Sequence, residues 1–147
     1  MIIRPATLED EPSIREMYLA FLNEVEAFGY DIPATPESVE KAWKSRFRPT
    51  IESKGPIFVA DHEGAIEGFV AMTGLIPIKA INHGVYVRPA WRRQGVGYAL
   101  MWAAKKWCRQ LGVEKIFDMV SLTNEAGLKL MAKLGEEPVA FAYNLTA

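Results

Sequence analysis

The stretch Trp91-Arg92-Arg93-Gln94-Gly95-Val96-Gly97 is the part of this sequence best equipped for chemistry. Two glycines one residue apart at the start of a helical pattern permit a tight turn. They clear side chains away and leave backbone N–H groups directed outward. The positive end of the helix adds to that field, and Arg92 and Arg93 bring full charges. Such a turn is a seat for a phosphate or diphosphate. It is not a P-loop, because no Gly-x4-Gly-Lys-Ser/Thr run is present. It is not a dinucleotide fingerprint either: Leu100 stands where a third glycine is needed, and seven residues separate Val87 from Gly95.

The rest of the composition narrows what such a seat serves. The 147 residues suit a single domain spanning 1–147, and half of them are hydrophobic with 24% charged, as in ordinary globular proteins. The net charge is −1 and the basic residues are scattered, so neither a nucleic acid nor a membrane is the expected partner. The lone cysteine, Cys108, excludes an intramolecular disulfide and a Cys-x-x-Cys metal pair, so no metal is expected. With no signal-like segment at Met1–Glu11 and no long apolar run, a soluble, cytoplasmic protein is expected.

The elements that must position the turn follow from periodicity. Ile2 and Ile3 begin a short strand. Ile14, Met17, Tyr18, Phe21, Leu22 and Val25 then make one apolar helical stripe that Gly29 ends. Thr35 and Pro36 open a second helix carrying Val39, Trp43 and Phe47, expected to end near Pro49. Residues 56–73 read as a hairpin turning at Asp61–Gly64, and residues 80–87 as a further strand. Leu100, Ala104, Trp107, Cys108 and Leu111 mark the helix after the turn, closed by Gly112. A buried strand over 115–121, a helix over 124–135 and a last strand over 138–145 complete a β-α-α-β-β-β-α-β-α-β order. Strand–helix–strand runs in the second half predict a parallel pair within a mixed sheet.

The segment from Val85 to Met101 resembles the acyl-CoA-binding motif of the GNAT superfamily of N-acetyltransferases, Arg/Gln-x-x-Gly-x-Gly/Ala after a strand ending near Val-x-Pro. Arg92, Gly95 and Gly97 match the defined positions, and Val87 and Pro89 match the lead-in. Residues 2–10 resemble the family's opening strand and turn, and the hairpin resembles its second and third strands. Asn124, Gly127, Leu130 and Gly135 resemble its Asn-x-x-Ala/Gly-x-x-Leu-Tyr/Phe-x-x-x-Gly segment. The resemblance implies an α/β (α+β) fold: a mixed, mostly antiparallel sheet of about six strands flanked by helices, with a splayed parallel pair forming an acyl-CoA cleft. It implies acetyl-CoA as co-substrate and a primary amine of a small molecule or peptide as acceptor. The pantetheine would lie along Val85, Tyr86 and Val87. The pyrophosphate would lie on the turn formed by Arg92, Arg93, Gln94, Gly95, Val96, Gly97 and Tyr98. Asn124 would bond near the pantetheine, a place where it also suits a helix cap.

The residues that the family uses to move protons are missing. Met131 stands where a donor tyrosine is common, and Met119 where some members place a glutamate base. His83, on the strand before the turn, is the expected substitute, since an imidazole titrates near neutrality. Asp118, sent to the opposite face from Met119 by strand alternation, ranks below it. Tyr143 on the last strand and His62 in the hairpin turn are weaker candidates. Glu24, Glu26 and Asp31 beside Phe28 and Tyr30 could clasp a cationic amine. A catalytic N-acetyltransferase is favoured over a non-catalytic acyl-CoA-binding module of the same scaffold. The single terminal strand admits a homodimer that shares it.

Overall fold

Strands β1 (Ile2–Pro5), β2 (Ile57–His62), β3 (Ala65–Ile76), β4 (Lys79–Val87) and β5 (Lys115–Phe117) lie side by side in that order in the computed structural model, which describes residues 1–76 and 79–138. The first four strands pair antiparallel and β5 runs parallel to β4. This is the mixed, mostly antiparallel sheet that the sequence predicts, with five strands among the described residues. The expected last strand, with Tyr143, lies outside those residues. The β2–β3 turn is held by Asp61, whose carboxylate accepts the Gly64 amide at 2.8 Å, while Glu63 and Gly64 take φ of 52° and 89°. Paired left-handed residues match the twist of a two-residue hairpin.

Helix α1 (Glu11–Glu26) buries Ile14, Met17, Tyr18, Leu22 and Val25, the stripe read from the sequence. Helix α2 (Pro36–Ala42) starts as predicted, with the Thr35 hydroxyl accepting the Ser38 amide at 3.2 Å. Its course beyond Ala42 departs from expectation. The chain does not stop near Pro49 but passes through a π-helical turn (Trp43–Phe47) into helix α3 (Arg48–Glu52). Proline explains the wide turn: Pro49 has no N–H to give Ser45 four residues earlier, and its ring would clash with that carbonyl. The helix widens, Arg48 N bonds Trp43 O, and the Thr50 hydroxyl takes the Arg46 carbonyl at 2.6 Å.

Two apolar clusters sandwich the sheet. On one face α1, α2 and the π turn pack Tyr18, Trp43 and Phe47 against Val59, Phe69 and Ala71. Trp43 and Phe47 are 2% and 1% exposed, and the Tyr18 and Phe47 rings meet edge-on at 4.8 Å. Truncating either large aromatic to alanine costs on the order of 3–5 kcal/mol. On the other face helix α4 (Val96–Gln110) lays Leu100, Met101, Ala104 and Cys108 over Val70, Met72 and Ala80. Leu111, predicted to belong to this stripe, is 60% exposed because α4 has already ended. The expected buried strand over 115–121 is shorter and more open: only Lys115–Phe117 pairs with β4, and Phe117 and Met119 are exposed. Helix α5 (Glu125–Lys133) rests on α4 through Leu130, Met131 and Leu134.

Candidate functional site

The parallel pair is brief. β4 and β5 match only at Lys79–Lys115, Ala80–Ile116 and Ile81–Phe117, after which they part. The parting coincides with a bulge: Met72 faces Asn82 and Ala71 faces Gly84, so His83 is the extra residue that β3 does not pair. Asn82 stabilises the kink by accepting the Gly84 amide at 3.0 Å and donating to Asp118 at 2.5 Å. Beyond the bulge, Arg88 N donates to Glu67 O of β3 at 2.8 Å. Alternation then turns the N–H and C=O groups of Val85 and Val87 to the opposite edge, toward the gap. The Val87 carbonyl shows that direction by accepting Arg92 Nε at 2.8 Å. Tyr86 faces the other way: its backbone is directed at β3 and its ring is buried against the α1 side of the sheet.

That open edge runs into the glycine turn. Arg93 and Gly95 adopt left-handed conformations, with φ of 61° and 82°, and Gly95 caps α4. The first bond of the helix is Ala99 N to Gly95 O, so the amides of Val96, Gly97 and Tyr98 precede it and point out of the helix end. A methyl placed on Gly95 would meet nothing within 4 Å, and one on Gly97 would lie 3.7 Å from Val87 Cγ2. The backbone is therefore bare on the side where an anion would approach, which fits a diphosphate. Arg93 and Gln94 are exposed beside it, the latter donating to the Ala90 carbonyl at 3.0 Å. Arg92 is turned away: it also pairs with Glu24 at 2.6 Å and lies over the Tyr86 ring at 5.3 Å.

The family model described as the acetyltransferase (GNAT) family matches residues 15–135. The chain belongs to the GNAT family of acetyltransferases. An aminoglycoside N(6')-acetyltransferase type 1 from Klebsiella aerogenes is 41% identical to this GNAT chain over 61 residues, which is 42% of the chain and 40% of that relative. The structure of an aminoglycoside N-acetyltransferase AAC(6')-Iy in complex with CoA superposes with a TM-score of 0.73 over 99% of the chain and 93% of its own, at 16% identity. A putative acetyltransferase from Salmonella typhimurium with its cofactor acetyl-CoA does so with a TM-score of 0.76, over 92% and 78%, at 22% identity.

Other predicted residues of this GNAT chain fall into three places. Asn124 caps α5, its side chain accepting the Gly127 amide at 3.0 Å. Tyr98 stacks parallel to Trp102 and under Lys133, whose Nζ is 4.7 Å from its ring centre. Met131 packs into the α4 cluster while Met119 is 77% exposed. His83 lies on the other face, lining a cavity of about 370 Å3 with Ser45, Arg46, Thr50 and Thr73. Burial, and then the charge of Arg46, lowers its pKa to about 4, so the ring is neutral at pH 7. Of the acidic residues expected to clasp an amine, Glu24 is engaged by Arg92, and Glu26 and Asp31 are solvent-exposed. Tyr30 reaches across the gap, its hydroxyl donating to the Met119 carbonyl.

The residues of this junction and cavity that the sequence did not disclose are Asn82, Ser45, Arg46, Thr50 and Thr73. The one signal for Ser45, Arg46 and Thr50 was Pro49, which reads as a helix end and sits where the helix widens. Among the described residues no group of acidic, histidine and cysteine side chains is arranged to hold a metal ion, and no helix is long and apolar enough to cross a membrane.

Proposed function

We propose that this GNAT chain transfers an acetyl group from acetyl-CoA to a primary amine. The observation that carries this is the continuity of the β4 edge at Val85 and Val87, which pairs with no strand among the described residues, with the bare amides of Val96 to Tyr98. An extended chain of alternating amides ending in a diphosphate is the ligand that such a strip fits, hydrogen-bonding like an added strand and ending on the helix dipole. Acetyl-CoA supplies the acyl group, the amine nitrogen forming a C–N bond as the C–S bond breaks and the thiolate leaves.

The chain's own residues orient these partners. Val85 N–H faces the gap just past the bulge, where it can donate to the thioester oxygen and favour the charge that develops there. His83 sits on the bulge itself, two residues from Val85, and lines the cavity on the α1 face of the sheet. It is neutral and so ready to accept, its pKa lowered to about 4 by burial and by Arg46, and positioning of the two reactants adds to its effect. Asp118, held by Asn82 at the same junction, offers a second place for a proton because burial raises its pKa. The specific acceptor of the aminoglycoside acetyltransferase relatives does not transfer on so short a match.

The test is release of free thiol from acetyl-CoA by the purified chain against amines, amino acids, peptides and aminoglycosides. Amine-dependent release with acetylated product by mass spectrometry is the expected result. Tight binding of acetyl-CoA with no release for any amine class would instead support a non-catalytic acyl-CoA module, which the methionines at 119 and 131 favour.

A further inference from the structure

The cavity lined by His83 has an unusual interior. Thr73 on β3 is 3% exposed and its hydroxyl has no hydrogen-bond partner among the described residues. Arg46 Nε is likewise buried and, among the described residues, without a partner. A buried polar atom without a partner is destabilising, and each such case calls for a missing partner. Arg46 and Thr73 line the same cavity, with Ser45, Thr50 and Ser53, whose hydroxyls donate to the Lys41, Arg46 and Thr50 carbonyls, at its wall. Arg46 touches the protein through a neutral group, donating from Nη2 to the Tyr18 hydroxyl at 3.3 Å. Among the described residues no carboxylate lies within ion-pair distance of it, although Arg4, Arg15, Arg48, Arg88 and Arg92 all have one. Among the described residues no Asp or Glu lines the cavity.

This combination has a local cause. Pro49 blocks the regular helical bond to Ser45, and the π turn that results with Trp43 and Phe47 packed on the sheet carries Ser45 and Arg46 to the wall opposite His83 and Thr73. Single π turns inside helices recur at functional sites because they redirect side chains at some cost in helix geometry. The β4 bulge contributes the facing wall. It delivers His83 to the cavity while its flanking residues Val85 and Val87 edge the gap on the other side.

We propose that this cavity is the acceptor subsite and that it binds a carboxylate: the amine acetylated by this chain also carries a carboxyl group. The carboxylate accepts hydrogen bonds from Arg46 and the Thr73 hydroxyl, which places the amine toward His83 and the bulge. A guanidinium suits a carboxylate because its N–H groups fork to match the two oxygens. One cation amid neutral hydroxyls and a neutral imidazole balances a single negative charge, which favours a carboxylate over a doubly charged phosphate. A polycationic amine would meet Arg46 without a compensating acid. The acceptor class thus differs from the aminoglycosides named for the Klebsiella relative. The proposal rests on the acetyltransfer function above.

The experiment compares matched acceptors, using thiol release by the full chain with saturating acetyl-CoA: amino acids, their carboxamides, an aminophosphonate of the same length, and an aminoglycoside. Amino acids are expected to exceed their carboxamides at least tenfold in kcat/KM. Arg46→Gln should raise the amino-acid KM at least tenfold while leaving acetyl-CoA affinity by calorimetry unchanged, with Arg46→Lys intermediate and Thr73→Val a smaller loss. A second readout needs no turnover: with two histidines in the chain, the His83 ring is followed by NMR, and added N-acetyl amino acid should raise its pKa by offsetting the Arg46 charge. Equal rates for acid and carboxamide, a preference for the phosphonate or aminoglycoside, or an unmoved His83 would overturn the subsite. Failure to bind acetyl-CoA at all would overturn the acetyltransfer function instead, so the two failures are distinct.

Discussion

Asn82 and Asp118 meet at the point where β4 and β5 part, with Asn82 Nδ2 donating to Asp118 Oδ1 at 2.5 Å while Asn82 Oδ1 accepts the Gly84 amide at 3.0 Å. One side chain therefore fixes both the bulge and the end of the parallel pair. Asn82→Ala removes both bonds and strands a carboxyl and an amide, an expected loss of about 1–3 kcal/mol. Urea unfolding measures it, and a change within ±0.5 kcal/mol would show that the junction is held by other contacts.

Asp118 predicts a pH-dependent sign. Burial is the largest influence on it and raises its pKa, against the hydrogen bond from Asn82. The folded state then holds the proton more tightly than the unfolded state, so stability falls as pH rises through the window above the unfolded value. Asp118→Asn keeps an acceptor for Asn82 and removes the charge. It is expected to raise Tm at pH 7 and to have little effect at pH 3, and equal shifts at both would contradict the burial of this carboxyl.

His83 has the opposite sign. Its folded pKa is lowered from 6.5 to about 4, so between those values the unfolded state binds more protons. Stability is present above pH 6.5 and is lost as pH falls toward 4. His83→Gln should flatten the stability profile in that interval, measured by denaturant unfolding across it. The same variant is expected to slow acetyl transfer by about a hundredfold to a thousandfold if His83 takes the proton, in the lower part of the range of general-base contributions.

Much of this was legible in the chain because local rules and tertiary structure agree there. The α1 stripe, the Thr35–Pro36 start and the Asp61–Gly64 turn are each set by residues within a few positions of one another. The Gly95–Gly97 turn is equally local, since the left-handed φ at Gly95 and the open helix amides follow from residue type. The bulge at His83 was hidden because it is a property of β3–β4 register, which no residue of β4 announces. Arg46 was hidden because Pro49 admits two outcomes, ending a helix or widening it, and packing of Trp43 and Phe47 on the sheet selects the second. Arg92 matched a motif by type, yet its direction is set by Glu24 on α1, 68 positions away.

Pro49 tests the link from helix geometry to the acceptor cavity. Pro49→Ala restores the missing N–H and removes the ring clash, so the π turn is expected to relax toward α-helix. Stability should stay level or rise by up to about 1 kcal/mol, since a residue compatible with helix replaces one that is not. The acceptor KM should nonetheless increase severalfold as Arg46 and Ser45 rotate away from Thr73, with acetyl-CoA affinity unchanged. An unaltered acceptor KM would separate the π turn from acceptor binding.

The most direct measurement is calorimetric titration of the wild-type chain and Gly97→Val with acetyl-CoA. Gly97 has an ordinary φ, and a Cβ there would sit at normal contact distance from Val87 and Leu130; a Tm measured beside the titration establishes that the valine variant is folded. Its side chain would nevertheless cover the amides of the α4 end. Binding at one site per wild-type chain, weakened at least tenfold in Gly97→Val, is the predicted result. No binding by the folded wild-type chain, or equal affinity in the variant, would contradict the assignment of the Gly95–Gly97 turn as the diphosphate seat.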